Sequence, residues 1–163
     1  ETEVLHDRVP LHRVAPLTDR DYFVRGSTAL LDAVGGAIRH IGSVHKYARR
    51  EDVPEHTLVV ITTDGMENAS RRYTLDQVKK LVERQQKRYG WEFLFLGANM
   101  DAVETAGRFG IAPQRAANFH SDSQGTQLNY QVLSQACCAV RAGAPLSAGW
   151  KESIEEDFRK RRR

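Results

Sequence analysis

Two hydrophobic periods run through this chain, and the segments that carry them alternate. Leu58-Val59-Val60-Ile61 is an unbroken apolar run rich in β-branched residues, the pattern of a strand buried on both faces of a parallel sheet. Trp91-Glu92-Phe93-Leu94-Phe95-Leu96-Gly97 reads as a second such strand, and Ala116 to His120 as a short edge strand. Elsewhere the apolar positions recur every third or fourth residue. Leu30, Leu31, Val34, Ile38, Ile41 and Val44 predict a helix opening at Gly26-Ser27-Thr28. Gly35, Gly36 and Gly42 each cost about 1 kcal/mol relative to alanine inside it, which implies close packing of this helix against a sheet.

Helix punctuation is clear downstream. Thr74-Leu75-Asp76-Gln77 fits a capping box, Leu75, Val78, Leu81, Val82 and Tyr89 give a buried stripe, and Gly90 suits the C-terminal cap. Asp101 with Glu104 fits a second capping box, for a short helix ending near Phe109-Gly110. A long helix runs from about Asp122 to Ala142, with Leu128, Val132, Leu133, Ala136 and Val140 facing inward. Trp150, Ile154 and Phe158 then recur every fourth residue among charges, as in a short helix docked on the body. At the other end, Thr2 to Val14 reads as a β-hairpin, with Pro10 confining it to a sheet edge. Residues 15–25 form a polar connection in which Tyr22 and Phe23 are the expected anchors. The order after the hairpin is helix, strand, helix, strand, helix, strand, helix. That order predicts an α/β fold, Rossmann-like and doubly wound, with a mostly parallel sheet and helices on both faces.

Composition narrows the class without naming a chemistry. With 163 residues, 40% of them hydrophobic and 28% charged, the chain is of one-domain size and ordinary globular make-up. No apolar run approaches the ~18 residues of a membrane span. The net charge of +3 is concentrated at one end: residues 151–163 hold six basic and four acidic side chains, leaving 18 against 17 in residues 1–150. The expected division is an α/β domain over residues 1–145 and an amphipathic, arginine-rich tail over 146–163. Cys137 and Cys138 are adjacent, a poor geometry for a disulfide and not the CxxC spacing of a zinc site, so they read as small buried residues in a reducing cytoplasm.

Phosphate-cradling glycine motifs, a GxSxG elbow and HExxH are all absent from the sequence. What remains is a hydroxyl at the start of one helix, Thr28, and a carboxylate at a strand's carboxyl end, Asp64. Ligands of open α/β sheets bind in the crevice beyond such strand ends. Oxygen donors suit a hard cation such as Mg²⁺ or Mn²⁺. Each residue also has a plain structural role open to it: Thr28 as a helix cap and Asp64 as the acceptor of an Asx-turn.

The pair Arg25-Gly26-Ser27-Thr28-Ala29-Leu30-Leu31-Asp32-Ala33 and Leu58-Val59-Val60-Ile61-Thr62-Thr63-Asp64-Gly65 resembles the second half of a von Willebrand factor A-type domain, the fold of integrin I domains. The resemblance covers most of residues 1–142. It implies a metal-ion-dependent adhesion site in which Thr28 binds Mg²⁺ or Mn²⁺ through its hydroxyl and Asp64 reaches it directly or through water. The open coordination position would take a carboxylate from a partner protein: recognition, not catalysis. The family's D-x-S-x-S is absent, and the nearest approach, Asp122-Ser123-Gln124-Gly125-Thr126, has the wrong spacing and lies too late. The resemblance therefore implies a domain lacking its first strand and helix, with two of three ligand loops and little Mg²⁺ affinity by itself.

The function expected on these grounds is a protein–protein interaction module, cytoplasmic and by analogy bacterial, with its metal belonging to the intact protein. An unpaired sheet edge adds the expectation of self-association or marginal stability. Two rivals stand beside it. One is a metal-dependent hydrolase using Asp64, with Glu67 or a histidine as base. The other is a nucleic-acid accessory protein acting through Arg159-Lys160-Arg161-Arg162-Arg163, disfavoured because Glu152, Glu155, Glu156 and Asp157 can neutralise that run.

Overall fold

The computed structural model describes residues 3–18, 20 and 26–161. Tyr22, Phe23, Arg162 and Arg163 lie outside the described residues, as do Thr2 and Arg25. Three parallel strands, β1 (Leu58–Thr63), β2 (Glu92–Gly97) and β3 (Ala116–Asn118), form one sheet in the order β1-β2-β3. Among the described residues five α-helices flank it: α1 (Leu30–Tyr47), α2 (Leu75–Tyr89), α3 (Ala102–Arg108), α4 (Ser123–Arg141) and α5 (Glu152–Lys160). The predicted alternation of helices and strands is present, and the fold is α/β with a coarse Rossmann-like layout.

β2 is the spine. Phe93 and Phe95 point into one core, with Leu30, Val34 and Ile38 of α1, Val78 and Val82 of α2, and Ala102 and Ala106 of α3. Leu94 and Leu96 point into the other, with Val132, Leu133 and Ala136 of α4 and Ile154 of α5. Alternate side chains of one strand thus serve two opposite helical layers, which is why its sequence reads as continuously apolar. The C-terminal helix is firmly docked: Ile154 is fully buried, the Trp150 indole donates to the Gln114 carbonyl (2.8 Å), and Lys151 donates to the carbonyls of Pro113 and Ala116.

The cap chemistry follows the sequence closely. Thr74 and Gln77 make both bonds of the capping box, and Gly90 ends α2 in the left-handed region at φ 66°. Asp101 accepts from the Glu104 N–H at the start of α3. Asp122 does the same for Gly125 in α4, so the segment that mimics a metal motif is a helix cap. Gly125 is obligatory there, since a Cβ would stand 2.1 Å from the His120 carbonyl oxygen.

Four expectations are corrected. Residues 3–14 contain no strand; Leu11–Arg13 is a 3₁₀ turn, Arg8 has a positive φ of 54°, and Val4, Leu5, Val9 and Leu11 are exposed. A hairpin that buries nothing is marginal on its own, and this one does not form. β1 is not buried on both faces: it is an edge strand among the described residues, and Leu58, Val59 and Val60 are only half-buried. Cys137 and Cys138 are exposed because the inward stripe of α4, Val132, Leu133, Ala136 and Val140, leaves them on the other side. In α2, Tyr89 is exposed and Gln85 is buried in its stead.

Two glycines of α1, Gly35 and Gly42, face the segment before α2 and α2 itself, not the sheet. A Cβ on Gly35 would lie 2.7 Å from the Tyr73 ring, one on Gly42 would lie 3.5 Å from the Gln85 amide nitrogen, and one on Gly36 would meet nothing within 4 Å. Gly36→Ala is therefore expected to stabilise the protein by about 0.5–1 kcal/mol through helix propensity. Gly35→Ala, which must displace a packed ring, is expected to destabilise it by roughly 1–3 kcal/mol. Urea denaturation of the two variants checks both signs; equal effects would remove the assigned role of Tyr73.

Candidate functional site

The carboxyl ends of the three strands carry the loops that bring the candidate residues together. Helix α1 begins at Leu30 without a capping side chain of its own, its cap position being Ala29. The N–H groups that a cap would satisfy are served from the loop after β1. Leu31 N–H donates to Glu67 Oε2 (2.8 Å), and Asp32 N–H donates to Ser70 Oγ (3.0 Å). These are the second and third helical positions, whose N–H groups an N-cap residue ordinarily receives.

The same loop is held from the other side by α1. The buried Asp32 carboxylate accepts from three successive backbone N–H groups, those of Arg71 (3.0 Å), Arg72 (2.8 Å) and Tyr73 (3.0 Å). Glu67 folds back on its own loop through Ala69 N–H, Ser70 N–H and the Ser70 hydroxyl. Asn68 clamps the backbone of Thr28, accepting its N–H (2.9 Å) and donating its own N–H to the Thr28 carbonyl (3.1 Å). Helix start and loop are thereby one unit.

This unit sets Thr28 against the Asp64-Gly65 turn. A Cβ on Gly65 would lie 3.2 Å from the Thr28 hydroxyl oxygen. The turn itself is closed by Thr63, whose hydroxyl donates to the Gly65 carbonyl (2.8 Å) and accepts its N–H (3.4 Å). Neither plain role foreseen for the candidate pair is realised: Thr28 caps no helix, and Asp64 forms no Asx-turn. Among the described residues the Thr28 hydroxyl and the exposed Asp64 carboxylate make no side-chain hydrogen bond. Asn99, at φ 58°, completes this end of the sheet by donating to the Asp64 carbonyl (3.2 Å) and the Ser121 hydroxyl (3.3 Å). Asparagine tolerates that backbone conformation better than most residues.

No protein-family model, curated protein or solved structure matches this chain. One hydroxyl and one carboxylate oxygen fit a hard divalent cation as two of its ligands. Among the described residues, no group of three or more His, Cys, Asp or Glu side chains could hold a metal ion, and no helix is long and apolar enough to cross a membrane.

Glu67, considered as a hydrolytic base, has both oxygens occupied in loop closure. Burial pushes its carboxyl up, but the donors from Leu31, Ser70 and Ala69 outweigh that and hold it below the ordinary 4.5. Asp32 is likewise below its ordinary 3.8, held there by Arg71 N–H first and then, against desolvation, by Arg72 and Tyr73 N–H. His120, the histidine next to Ser121, is turned away: its ring stacks on Phe158 and its Nε2 contacts the Phe158 carbonyl. Asn68, Ser70, Asn99 and the roles of Asp32 and Glu67 were not foreseen from the sequence. An acidic residue in the first turn of an amphipathic helix was the available signal for Asp32.

Both carboxyls are depressed in the folded protein, so their stabilisation is complete above the ordinary values and is lost as pH falls through the lowered ones. Asp32→Asn is expected to lower the urea midpoint at pH 7. The gap from the wild type should narrow steadily below pH 4, where the wild-type carboxyl also becomes neutral. Denaturation curves at pH 7, 5 and 3 measure this, and a pH-independent gap would show that Asp32 contributes by shape alone.

Proposed function

We propose that this chain is a protein-interaction module of the von Willebrand factor A type, acting in the cytoplasm. Thr28 and Asp64 supply two of the ligands of an Mg²⁺ or Mn²⁺ ion, and a partner's carboxylate completes the site. The observation that carries this reading is the state of the two side chains. Thr28, just before α1, lies against the Asp64-Gly65 turn at the carboxyl end of β1, and among the described residues neither side chain makes a hydrogen bond. Hydrogen bonds from Asn68, Asn99 and Thr63 hold the backbone on either side, so the donors are pre-organised, which lowers the cost of ordering them on binding. A bound cation would contribute a Lewis-acidic position for a carboxylate oxygen. The role of the chain's own residues is to present two hard donors on a rigid edge.

The rival readings gain no such support. A hydrolase needs a second group converging on Asp64, and Glu67 is engaged elsewhere. A nucleic-acid tail needs unpaired cations; among its described residues Arg161 is bound by Asp157 and Asp122 and Lys160 by Glu156, while Arg159 makes only a contact with the Glu155 carbonyl.

Mn²⁺ titration of protein carrying ¹³C-methyl methionine tests the proposal, because Met66 follows Gly65 directly. The Met66 resonance is expected to broaden progressively as Mn²⁺ is raised to excess, to recover when Mg²⁺ competes, and to be unaffected in Asp64→Ala. Equal broadening in Asp64→Ala would overturn the assignment of Asp64 as a ligand.

A further inference from the structure

Beside the Thr28 and Asp64 turns lies a cavity of about 140 Å³ whose lining includes Gly65. Leu30 and Leu31 of α1 form one wall and Phe109, just beyond α3, another, while Met66 and Met100 close it from the two strand-end loops. Its volume is close to that of the apolar cavities that bind a benzene-sized group. Met66 is 67% exposed although it belongs to this lining. Thioether side chains are unbranched and polarisable, and they are favoured where a surface must adapt to a partner. At the rim stands Arg108, exposed, with no ion pair or hydrogen bond among the described residues.

Two acidic groups, Glu67 in the lining and Asp64 beside Gly65, differ in availability. The Glu67 carboxylate is spent on four donors, so it does not neutralise Arg108. Asp64 is exposed at the turn that precedes Gly65. The surface therefore offers, in sequence, a carboxylate-bearing edge, an apolar socket and an unpaired guanidinium. A guanidinium pairs best with a carboxylate, and a small, largely apolar socket suits one bulky side chain as an anchor.

We propose that this cavity seats the leucine or phenylalanine side chain of an acidic segment of a partner protein. Of the carboxylates flanking that side chain, one engages Arg108 and another reaches toward the Thr28 and Asp64 edge. The socket and Arg108 select the segment. The last contact rests on the cation reading above, but the first two do not. The partner class is thus an acidic peptide with an embedded bulky apolar residue, in contrast to a nucleic acid or a lipid surface.

The chain's two methionines, Met66 and Met100, both line the socket, so every methionine methyl signal reports on it. The probe is the blocked peptide Gly-Asp-Leu-Asp-Gly, titrated into ¹³C-methyl-methionine protein with and without Mg²⁺. Both methyl signals are expected to shift saturably. Replacing the central leucine by glycine should weaken the apparent affinity by more than about tenfold, the scale of burying one such side chain. Arg108→Ala should weaken it roughly three- to fivefold, as for a partly exposed ion pair. Arg108→Glu should weaken it further.

The outcomes separate the two proposals. Methyl shifts that require leucine and Arg108 but ignore Mg²⁺ and Asp64→Ala would sustain the socket and remove the cation. Mg²⁺-dependent binding that leaves both methyls unmoved, or that is indifferent to leucine and to Arg108→Ala, would sustain the cation and overturn the socket. No methyl shift at millimolar peptide would also overturn it. Because Arg108 is exposed, its variants test binding without disturbing the core.

Discussion

The structure depends on an exchange of carboxylates between a helix start and a distant loop. Glu67, from the loop, satisfies the first turn of α1, and Asp32, from α1, satisfies the loop at Arg71, Arg72 and Tyr73. The partners are 36 to 41 residues apart in the chain. Leaving such N–H groups buried without acceptors costs about 1–3 kcal/mol each, so the arrangement is self-enforcing once formed. Its consequences spread in both directions. Upstream it holds Thr28 against Gly65; downstream it delivers Tyr73 onto Gly35 and sets Thr74 to cap α2.

The sheet supplies the platform on which that exchange works. β2 is buried on both faces and locks two helical layers together, and the strand ends fall at one level so that their loops meet. Asn99 joins the loop after β2 to those after β1 and β3. Further out, Arg161 ties the end of α5 to Asp122 at the start of α4, where the charge also favours the helix terminus. Within what the sequence presents as an arginine-rich tail, Lys160 and Arg161 are ion-paired and Arg161 braces α5 against α4.

Local chemistry was legible and long-range chemistry was not. The strands at Leu58–Thr63 and Glu92–Gly97, the box at Thr74 and Gln77, and the caps at Gly90, Asp101 and Asp122 all depend on neighbours within five residues, where periodicity and cap rules operate. The hairpin at residues 3–14 had suitable residues but no surface to cover, and burial decides whether such residues form a strand. Thr28 and Asp64 could be picked out as candidates from position. The network that leaves their polar atoms unspent could not, because Asn68, Ser70 and Thr63 act across turns whose geometry no spacing rule encodes.

β1 shows why a correct strand assignment can still misplace a strand. Thr57 and Thr63 direct their carbonyls toward β2, so the intervening Leu58, Val60 and Thr62 present their backbone groups to the other side. Among the described residues no strand meets them. Edge strands are commonly protected by proline, lysine, a bulge or a covering helix. Leu58-Val59-Val60-Ile61 has no proline or charge, and its pairing with β2 is unbroken from Leu58 to Thr63. Its composition is that of an interior strand, and its position is that of an edge. That mismatch lies on the same strand as Asp64, so the open edge and the candidate site are physically continuous, and whatever pairs along one will stand beside the other.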